Sequence, residues 1–277
     1  MENWRIHING LKQMVELRGG IQAFDSKRMV RNKIHRYAPP PPDTSTTLAL
    51  IENSADLCGS TDLVQKPVFE FHRESPTIAG SHSGKFNGIK DVFELDVRLA
   101  KIIRQLHDIT LNMNLIHLKS ADIHPLSLRE DITSLQYSLL SLDFTSDDTQ
   151  VGVQHRINGT VQLAHLMYLV SILDEYLPGS SICDGLGQRL ASQLETLPAR
   201  EHFTDEFLLW VAFCGASIVT DAQNRMAFQT LAMECRKDLG LISWDDAVAI
   251  FQSFFWVKEI HGKTFRRVWR VLELMES

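Results

Sequence analysis

The chain has 277 residues, 44% of them hydrophobic and only 22% charged, which is enough apolar material for one large or two small domains and excludes a disordered tail. Its 28 Lys and Arg residues and 34 Asp and Glu residues give a formal net charge of -6, whereas an autonomous nucleic-acid-binding domain usually has a basic footprint. We therefore expect that this chain does not bind nucleic acid directly.

Two loops or linkers are predicted in the first third of the chain. Residues 37–47 contain four consecutive prolines, which cannot be helical because proline lacks an amide hydrogen and clashes with the preceding turn. Residues 66–88 are rich in Ser, Gly and His. We interpret the proline-rich loop as a spacer, with a docking ligand for a partner protein as the alternative.

Amphipathic helices are predicted next. One helix face carries apolar residues at three-, four- and seven-residue spacing, namely Val92, Leu95, Leu99, Ile102, Ile103, Leu106 and Ile109. A second helix is predicted after Pro125, with Ser127 and Glu130 as a capping box. Its buried row consists of Leu128, Ile132, Leu135 and Leu139. Both patterns are typical of helices that cover a core with one face.

A different pattern begins in the middle of the chain. Residues 155–173 are apolar around most of the helix circumference, which predicts a helix at the centre of the core. Pro178 and Gly179 end this pattern. The next helix contains the continuous apolar segment 207–216, and Asp205 is its predicted cap.

Two further helices complete the prediction. Asp221 should begin a helix that Lys237 and Gly240 close, and Ser243 with Asp246 forms a capping signature ahead of an apolar helix. No alternating pattern is long enough to require a sheet, and no repeat period is present. We predict an all-α fold, an irregular helical bundle or array that forms a single domain over residues 1–277.

The cysteines and the apolar segments indicate the compartment. Cys58, Cys183, Cys214 and Cys235 form no C-x-x-C pair, so neither a zinc knuckle nor a disulfide framework is indicated. Cys214 lies among apolar residues and is interpreted as a small buried side chain rather than a reactive thiol. The first residues do not form a signal peptide, and the longest apolar segment is far shorter than the roughly 20 residues that span a bilayer. We expect a soluble, intracellular protein with no membrane partner.

The sequence patterns that could form a reactive site are weak. Residues 80–85 are only superficially similar to a phosphate-binding loop, because the glycine spacing is wrong and no Ser or Thr follows the lysine. Neither His117 with His124 nor His155 with His165 has the four-residue spacing that places two imidazoles on one metal. We therefore predict no catalytic, cofactor-binding or metal-binding residues, no cofactor and no enzyme activity.

Two basic clusters could contact phosphate. The first comprises Lys27, Arg28, Arg31, Lys33 and Arg36, and the second comprises Lys263, Arg266, Arg267 and Arg270. Neither comes with a framework that reads a nucleic-acid groove. We interpret each cluster as a solvated helix face or as a set of ion-pair partners for the excess carboxylates.

Three segments carry a family resemblance. They are residues 7–21, which end in Leu-Arg-Gly-Gly-Ile; residues 163–173, followed by Tyr-Leu-Pro; and residues 207–216, followed by Arg225, Leu239-Gly240-Leu241, Ser243-Trp244, Phe254-Phe255-Trp256 and Trp269. Their order and spacing resemble those of the fungal-specific transcription factor domain, the C-terminal regulatory region of fungal zinc-cluster transcription factors. The resemblance covers nearly the whole chain.

The resemblance implies a helical region that regulates transcription in the nucleus through transcriptional co-regulator proteins or self-association, with an unknown effector. In that family a separate six-cysteine zinc cluster reads DNA, and neither zinc nor DNA binding carries over to any residue here. Met1 stands close to the first family-like helix, so we expect a chain that is truncated at its N-terminus. The alternative is a stand-alone or truncated helical protein-interaction domain without transcriptional activity, which could be cytoplasmic.

Overall fold

The computed structural model describes residues 94–117, 125–144, 152–173 and 178–276, together with Gln13, Leu17, Ser60, Thr61, Val64, Lys66, Pro67 and Gly88. Several sequence features lie outside the described residues: the proline-rich loop 37–47, most of the loop 66–88, the first basic cluster, the segment 80–85 and nearly all of the segment 7–21. The apolar residues of the predicted helices, except Val92, lie within the four described stretches.

Helices alone build these stretches, which contain no β-strand, and the predicted all-α class is confirmed. In chain order the helices are α1 (Val97–His117), α2 (Pro125–Leu140), α3 (Val153–Ile172), α4 (Ser181–Thr196), α5 (Ala199–His202), α6 (Asp205–Ile218), α7 (Ala222–Asp238), α8 (Trp244–Ser253) and α9 (Lys258–Glu276). Among these described helices, none has both the length and the apolar character needed to cross a bilayer.

Helix α3 is enclosed on all sides. Residues 157–170 are all buried, because apolar side chains surround the helix and leave no face for solvent. It packs against α1, α2, α4 and α6. The buried side chain of Gln162 donates from Nε2 to the carbonyl oxygens of Leu139 (2.6 Å) and Leu142 (3.0 Å), which satisfies acceptors at the end of α2. The prediction of a central helix over residues 155–173 is confirmed.

Helix α6 is the second enclosed helix and packs against α3, α4, α7, α8 and α9. Residues 207–216 are buried without exception. Each large apolar side chain that is removed from water in this way contributes roughly 1.5–3 kcal/mol. Gly215 permits the close approach of α7, because the Phe228 ring lies 2.6 Å from the position that a Cβ atom at residue 215 would occupy.

Three predicted helix ends are confirmed. The side chain of Asp221 accepts a hydrogen bond from an amide in the first turn of α7 at 2.9 Å. Ser243 and Asp246 form the reciprocal capping box of α8. At the end of α7, Gly240 has a φ of 63° and its amide donates to the Lys237 carbonyl at 3.1 Å, which is the left-handed closure that glycine favours.

Two predicted caps are wrong. The cap of α6 is Thr204, whose Oγ1 accepts from the Phe207 amide at 3.3 Å, and Asp205 is the first helical residue. A carboxylate in that position still favours the helix N-terminus through its charge. Helix α2 begins at Pro125, which suits the first helical position because no amide hydrogen is needed there. Ser127 therefore lies inside the helix, where it cannot act as the cap of a capping box.

The close contact at Gly215 predicts a cost for one added methyl group. Gly215→Ala places a Cβ atom 2.6 Å from the Phe228 ring, so α6 and α7 must move apart. We expect the free energy of unfolding, measured by urea denaturation, to fall by about 1–3 kcal/mol.

Gly262→Ala is the matched control for this substitution. Gly262 also lies inside a helix, but a Cβ atom there would meet only a ring carbon of Trp256, at 4.0 Å, which is an ordinary van der Waals distance. This variant should gain about 0.5–1 kcal/mol from the higher helix propensity of alanine. Equal effects of the two substitutions would contradict the close packing of α6 on α7.

Candidate functional site

Helix α9 has a buried side and an exposed, positively charged side. Its buried residues are His261, Phe265, Val268, Trp269 and Leu272. The opposite side carries Lys263, Arg266, Arg267 and Arg270, and all four are exposed. Because one residue turns a helix by about 100°, this spacing places the four cations within an arc of about 100°. We call these four residues the basic face.

The described part of the chain forms no ion pair with the basic face. No carboxylate there lies within ion-pair distance of any of its four side chains. The guanidinium carbon of Arg266 lies 5.5 Å from the ring centre of Trp244, a cation–π arrangement that leaves the net charge in place. Of the two interpretations of this cluster, the described residues agree with the solvated helix face and include no ion-pair partner for it.

Helix α7 fixes the C-terminal end of α9. The guanidinium carbon of Arg236 lies 4.2 Å from the ring centre of Trp269, and its Nη1 lies 3.0 Å from the carboxylate of Glu276. The indole nitrogen of Trp269 donates to the carboxylate of Glu273 at 2.7 Å. These contacts orient the last turns of α9, and with them the basic face.

Asn114 of α1 holds the other end of α9. Its Nδ2 donates to the carbonyl oxygens of Trp256 (2.6 Å) and Thr110 (3.2 Å), and its Oδ1 accepts from the amide of Lys258 (3.1 Å). The first amides of a helix have no acceptor within that helix, so a side chain must supply one. Asn114 therefore caps α9 from a distant part of the chain.

His261 adds a second cap from within α9. Its Nδ1 accepts a hydrogen bond from the Val257 amide at 2.9 Å, so the ring proton lies on Nε2, which is 3.2 Å from the hydroxyl oxygen of Ser171. Ser171 in turn donates to the carbonyl oxygen of Tyr168 at 2.6 Å. Burial lowers the pKa of His261 to about 3, and the imidazole is therefore neutral at pH 7.

A second buried histidine, His165, lies on α3. Its Nδ1 is 2.6 Å from the Val161 carbonyl oxygen, so that nitrogen is the donor. The ring centre lies 5.5 Å from that of Trp210 and 5.0 Å from that of Phe255. Burial lowers the pKa of His165 to about 4. His165 and His261 are thus neutral groups that bond to the backbone and pack against aromatic rings.

Two further residues named in the sequence analysis, His155 and Cys214, take part in packing. His155 packs edge-on against Phe144, with 5.3 Å between ring centres, while the side chain of His117 and all of His124 lie outside the described residues. Burial raises the pKa of the Cys214 thiol well above its ordinary value, in agreement with its interpretation as a small buried side chain. Within the described stretches, no three His, Cys, Asp or Glu side chains are placed to hold a metal ion.

The model of the family described as the fungal specific transcription factor domain matches residues 1–276. The chain therefore belongs to this family, as the order and spacing of its segments predicted. The family is one of transcription factors and not of enzymes. No curated protein and no solved structure matches the chain.

Sequence reasoning identified one part of this site and missed the other. The spacing of the basic face is visible in the sequence, and the cluster was recognised there. The capping roles of Asn114 and His261 were not recognised. The bond from Asn114 to Trp256 joins residues 142 positions apart, and local patterns carry no signal for such a contact.

Removal of the Asn114 side chain should loosen α9. Asn114→Ala removes three hydrogen bonds and deprives the Trp256 carbonyl oxygen of this donor, so we expect the free energy of unfolding to fall by about 2–3 kcal/mol in urea denaturation. Asn112→Ala is the control, because Asn112 lies on the same helix and its side chain bonds, among the described residues, to the Asp108 carbonyl alone (2.8 Å). We expect the control to lose less than about 1 kcal/mol. Similar losses in both variants would show that Asn114 does not hold α9.

The lowered pKa values of His165 and His261 predict a loss of stability in mild acid. Histidine in the unfolded chain has a pKa of about 6.5, whereas burial lowers the pKa of His261 to about 3 and that of His165 to about 4. Below about pH 6.5 the unfolded chain therefore binds more protons than the folded one, and each histidine costs up to about 1.4 kcal/mol of stability per pH unit. We expect urea denaturation to show about 2–3 kcal/mol less stability at pH 5.5 than at pH 7.5.

The variant His261→Asn separates this effect from general acid instability. An asparagine Oδ1 can accept the Val257 amide in place of Nδ1, and it does not titrate. The slope of stability against pH between about 6.5 and 4.5 should fall by roughly half in this variant. An unchanged slope would rule out His261 as a source of the pH dependence.

Proposed function

We propose that this chain is a transcription-regulatory domain that acts in the nucleus through contacts with other proteins and does not bind DNA itself. The observation that carries the proposal is the match of the family model over residues 1–276. Two sequence facts support the part about DNA. The zinc cluster that reads DNA in this family uses six cysteines, whereas this chain has four cysteines and no C-x-x-C pair. The formal net charge of the chain is -6, which opposes binding to a polyanion.

The character of the described interior supports a role at the surface. Tyr168, Trp210 and Phe213 are fully buried, and their rings pack against other aromatic rings. The buried histidines His165 and His261 are neutral and bonded to the backbone or to Ser171. An interior that is filled in this way stabilises the fold, and recognition then depends on exposed groups such as the basic face.

A fusion of the full chain to a heterologous DNA-binding domain tests the proposal. We expect the fusion to change the output of a reporter gene severalfold relative to the DNA-binding domain alone. The control is Trp210→Ala, since Trp210 is fully buried and donates to the Phe255 carbonyl at 3.0 Å. Its loss should cost about 3–5 kcal/mol and abolish the effect together with the fold. A folded, nuclear fusion with no effect on the reporter in any growth condition would contradict the proposal.

Localisation separates this proposal from that of a stand-alone interaction domain. The tagged chain, expressed without the fusion partner, should concentrate in the nucleus. Its retention in the cytoplasm, together with the recovery of cytosolic binding proteins, would favour the stand-alone domain.

A further inference from the structure

The basic face continues into apolar residues at the end of α9. Residues four apart follow each other along a helix surface, so Lys263 and Arg267 form one row that leads to Val271 and Met275. The row of Arg266 and Arg270 leads to Leu274 in the same way. The exposed fractions of the three apolar residues are 38% for Val271, 39% for Met275 and 75% for Leu274. One exposed surface therefore has a cationic half and an apolar half.

The cationic half has an energetic cost while it faces water alone. Like charges four residues apart on a helix repel each other, and the basic face contains two such pairs, Lys263 with Arg267 and Arg266 with Arg270. Within the described residues no carboxylate forms an ion pair with any of these four cations. Anionic groups of a bound partner would remove it, and this charge complementarity indicates what the surface binds.

The dimensions of the surface favour a short acidic peptide over a nucleic acid. The four cations occupy about 10 Å of the helix axis, at about 1.5 Å per residue, whereas proteins that bind DNA at physiological salt commonly contact about 6–10 phosphates. A phosphate backbone also offers no apolar surface that could pack against exposed side chains such as Val271 and Leu274. The formal net charge of -6 opposes a long polyanion but allows local pairing with a few carboxylates.

We propose that the exposed side of α9 over residues 263–275 is a docking surface for an acidic, apolar-containing segment of a partner protein. The carboxylates of this segment pair with the basic face. The apolar side chains of the segment pack on Val271 and Leu274. The inference rests on the proposed role in protein contacts and names the chemistry of the partner. Segments in which acidic and apolar residues alternate are commonly disordered until they bind, and a rigid helix offers them a fixed surface.

Binding of a synthetic peptide to the full chain tests the docking surface. The probe is a fluorescein-labelled peptide in which aspartates alternate with leucines and phenylalanines, and binding is measured by fluorescence anisotropy. We expect saturable binding that weakens as salt is added, because exposed ion pairs are screened. A peptide with asparagine in place of aspartate should bind about tenfold more weakly or not at all.

Charge reversal locates the surface. Arg267→Glu combined with Arg270→Glu should weaken peptide binding by about tenfold or more. The matched control combines Arg104→Glu with Arg225→Glu, two exposed arginines on α1 and α7, so both double variants change the net charge equally. Peptide binding by the control should stay within about twofold of that of the original chain. Equal loss in both variants would overturn the proposal, because the effect would then arise from overall charge.

A folding control and a DNA probe complete the test. Circular dichroism and urea denaturation must show that the double variants are folded, and Lys263→Gln with Arg267→Gln provides a milder variant that should also weaken binding. The DNA probe is a labelled duplex that replaces the peptide in the same anisotropy measurement. If DNA binds as tightly as the peptide and its binding is lost with Arg267→Glu and Arg270→Glu, the basic face serves a nucleic acid and the proposal is wrong.

The reporter fusion distinguishes this inference from the proposed function. If the original fusion changes reporter output but the peptide does not bind, the docking surface fails and the regulatory role stands. If the peptide binds at α9 but the original fusion has no effect on the reporter, the regulatory role fails and the docking surface stands. Joint support requires that Arg267→Glu with Arg270→Glu reduces both peptide binding and reporter output.

Discussion

The burial of α6, a helix with no polar face, is the constraint on which the rest of the structure depends. Residues 207–216 would expose apolar surface in every direction if they were not covered, so five other helices surround them. Helix α9 is one of those five, and its Phe265 ring lies 5.6 Å from that of Phe213. The helix that completes the core therefore also carries the basic face, and the interior determines where that face points.

Hydrogen bonds make this arrangement unique. Apolar surfaces alone would tolerate sliding of α9 along α6, because hydrophobic attraction has no direction. The hydrogen bonds of Asn114 to Trp256 and Lys258, and the contact of His261 with Ser171 on α3, hold α9 in its observed register. Any other register would break these bonds, and partly buried groups such as the Trp256 carbonyl oxygen would lose their partners. The same groups that specify the fold also make it sensitive to acid.

The features that could be predicted from the sequence are those decided by local pattern. The enclosed helix over residues 155–173 and the caps at Asp221 and Ser243 follow from residues near one another in the chain. The predicted cap of α6 was wrong because Thr204 and Asp205 are adjacent and both residue types can cap a helix. A shift of one residue in the start of the helix determines which of them is the cap.

The parts of the site that were not predicted depend on contacts between residues far apart in the sequence, or on whether a carboxylate lies next to the basic face in the folded chain. Asn114 has no special pattern around it, and its role exists only once α1 and α9 are in contact. The spacing of the basic face predicted a shared helix side, but whether carboxylates neutralise that side depends on tertiary structure. The roles of the predicted loops 37–47 and 66–88 stay predictions.

The hydrogen bond between Asn114 and Trp256 also has a consequence for biosynthesis. Its partners are 142 positions apart, so synthesis must continue far beyond α1 before the contact can form. Until α9 emerges, the aromatic side chains of Phe213 and Phe251 lack one of their covering neighbours, Phe265. A premature stop codon before α9 would leave that surface open permanently, and we expect such a product to aggregate or to be degraded rather than to persist as a shorter regulator.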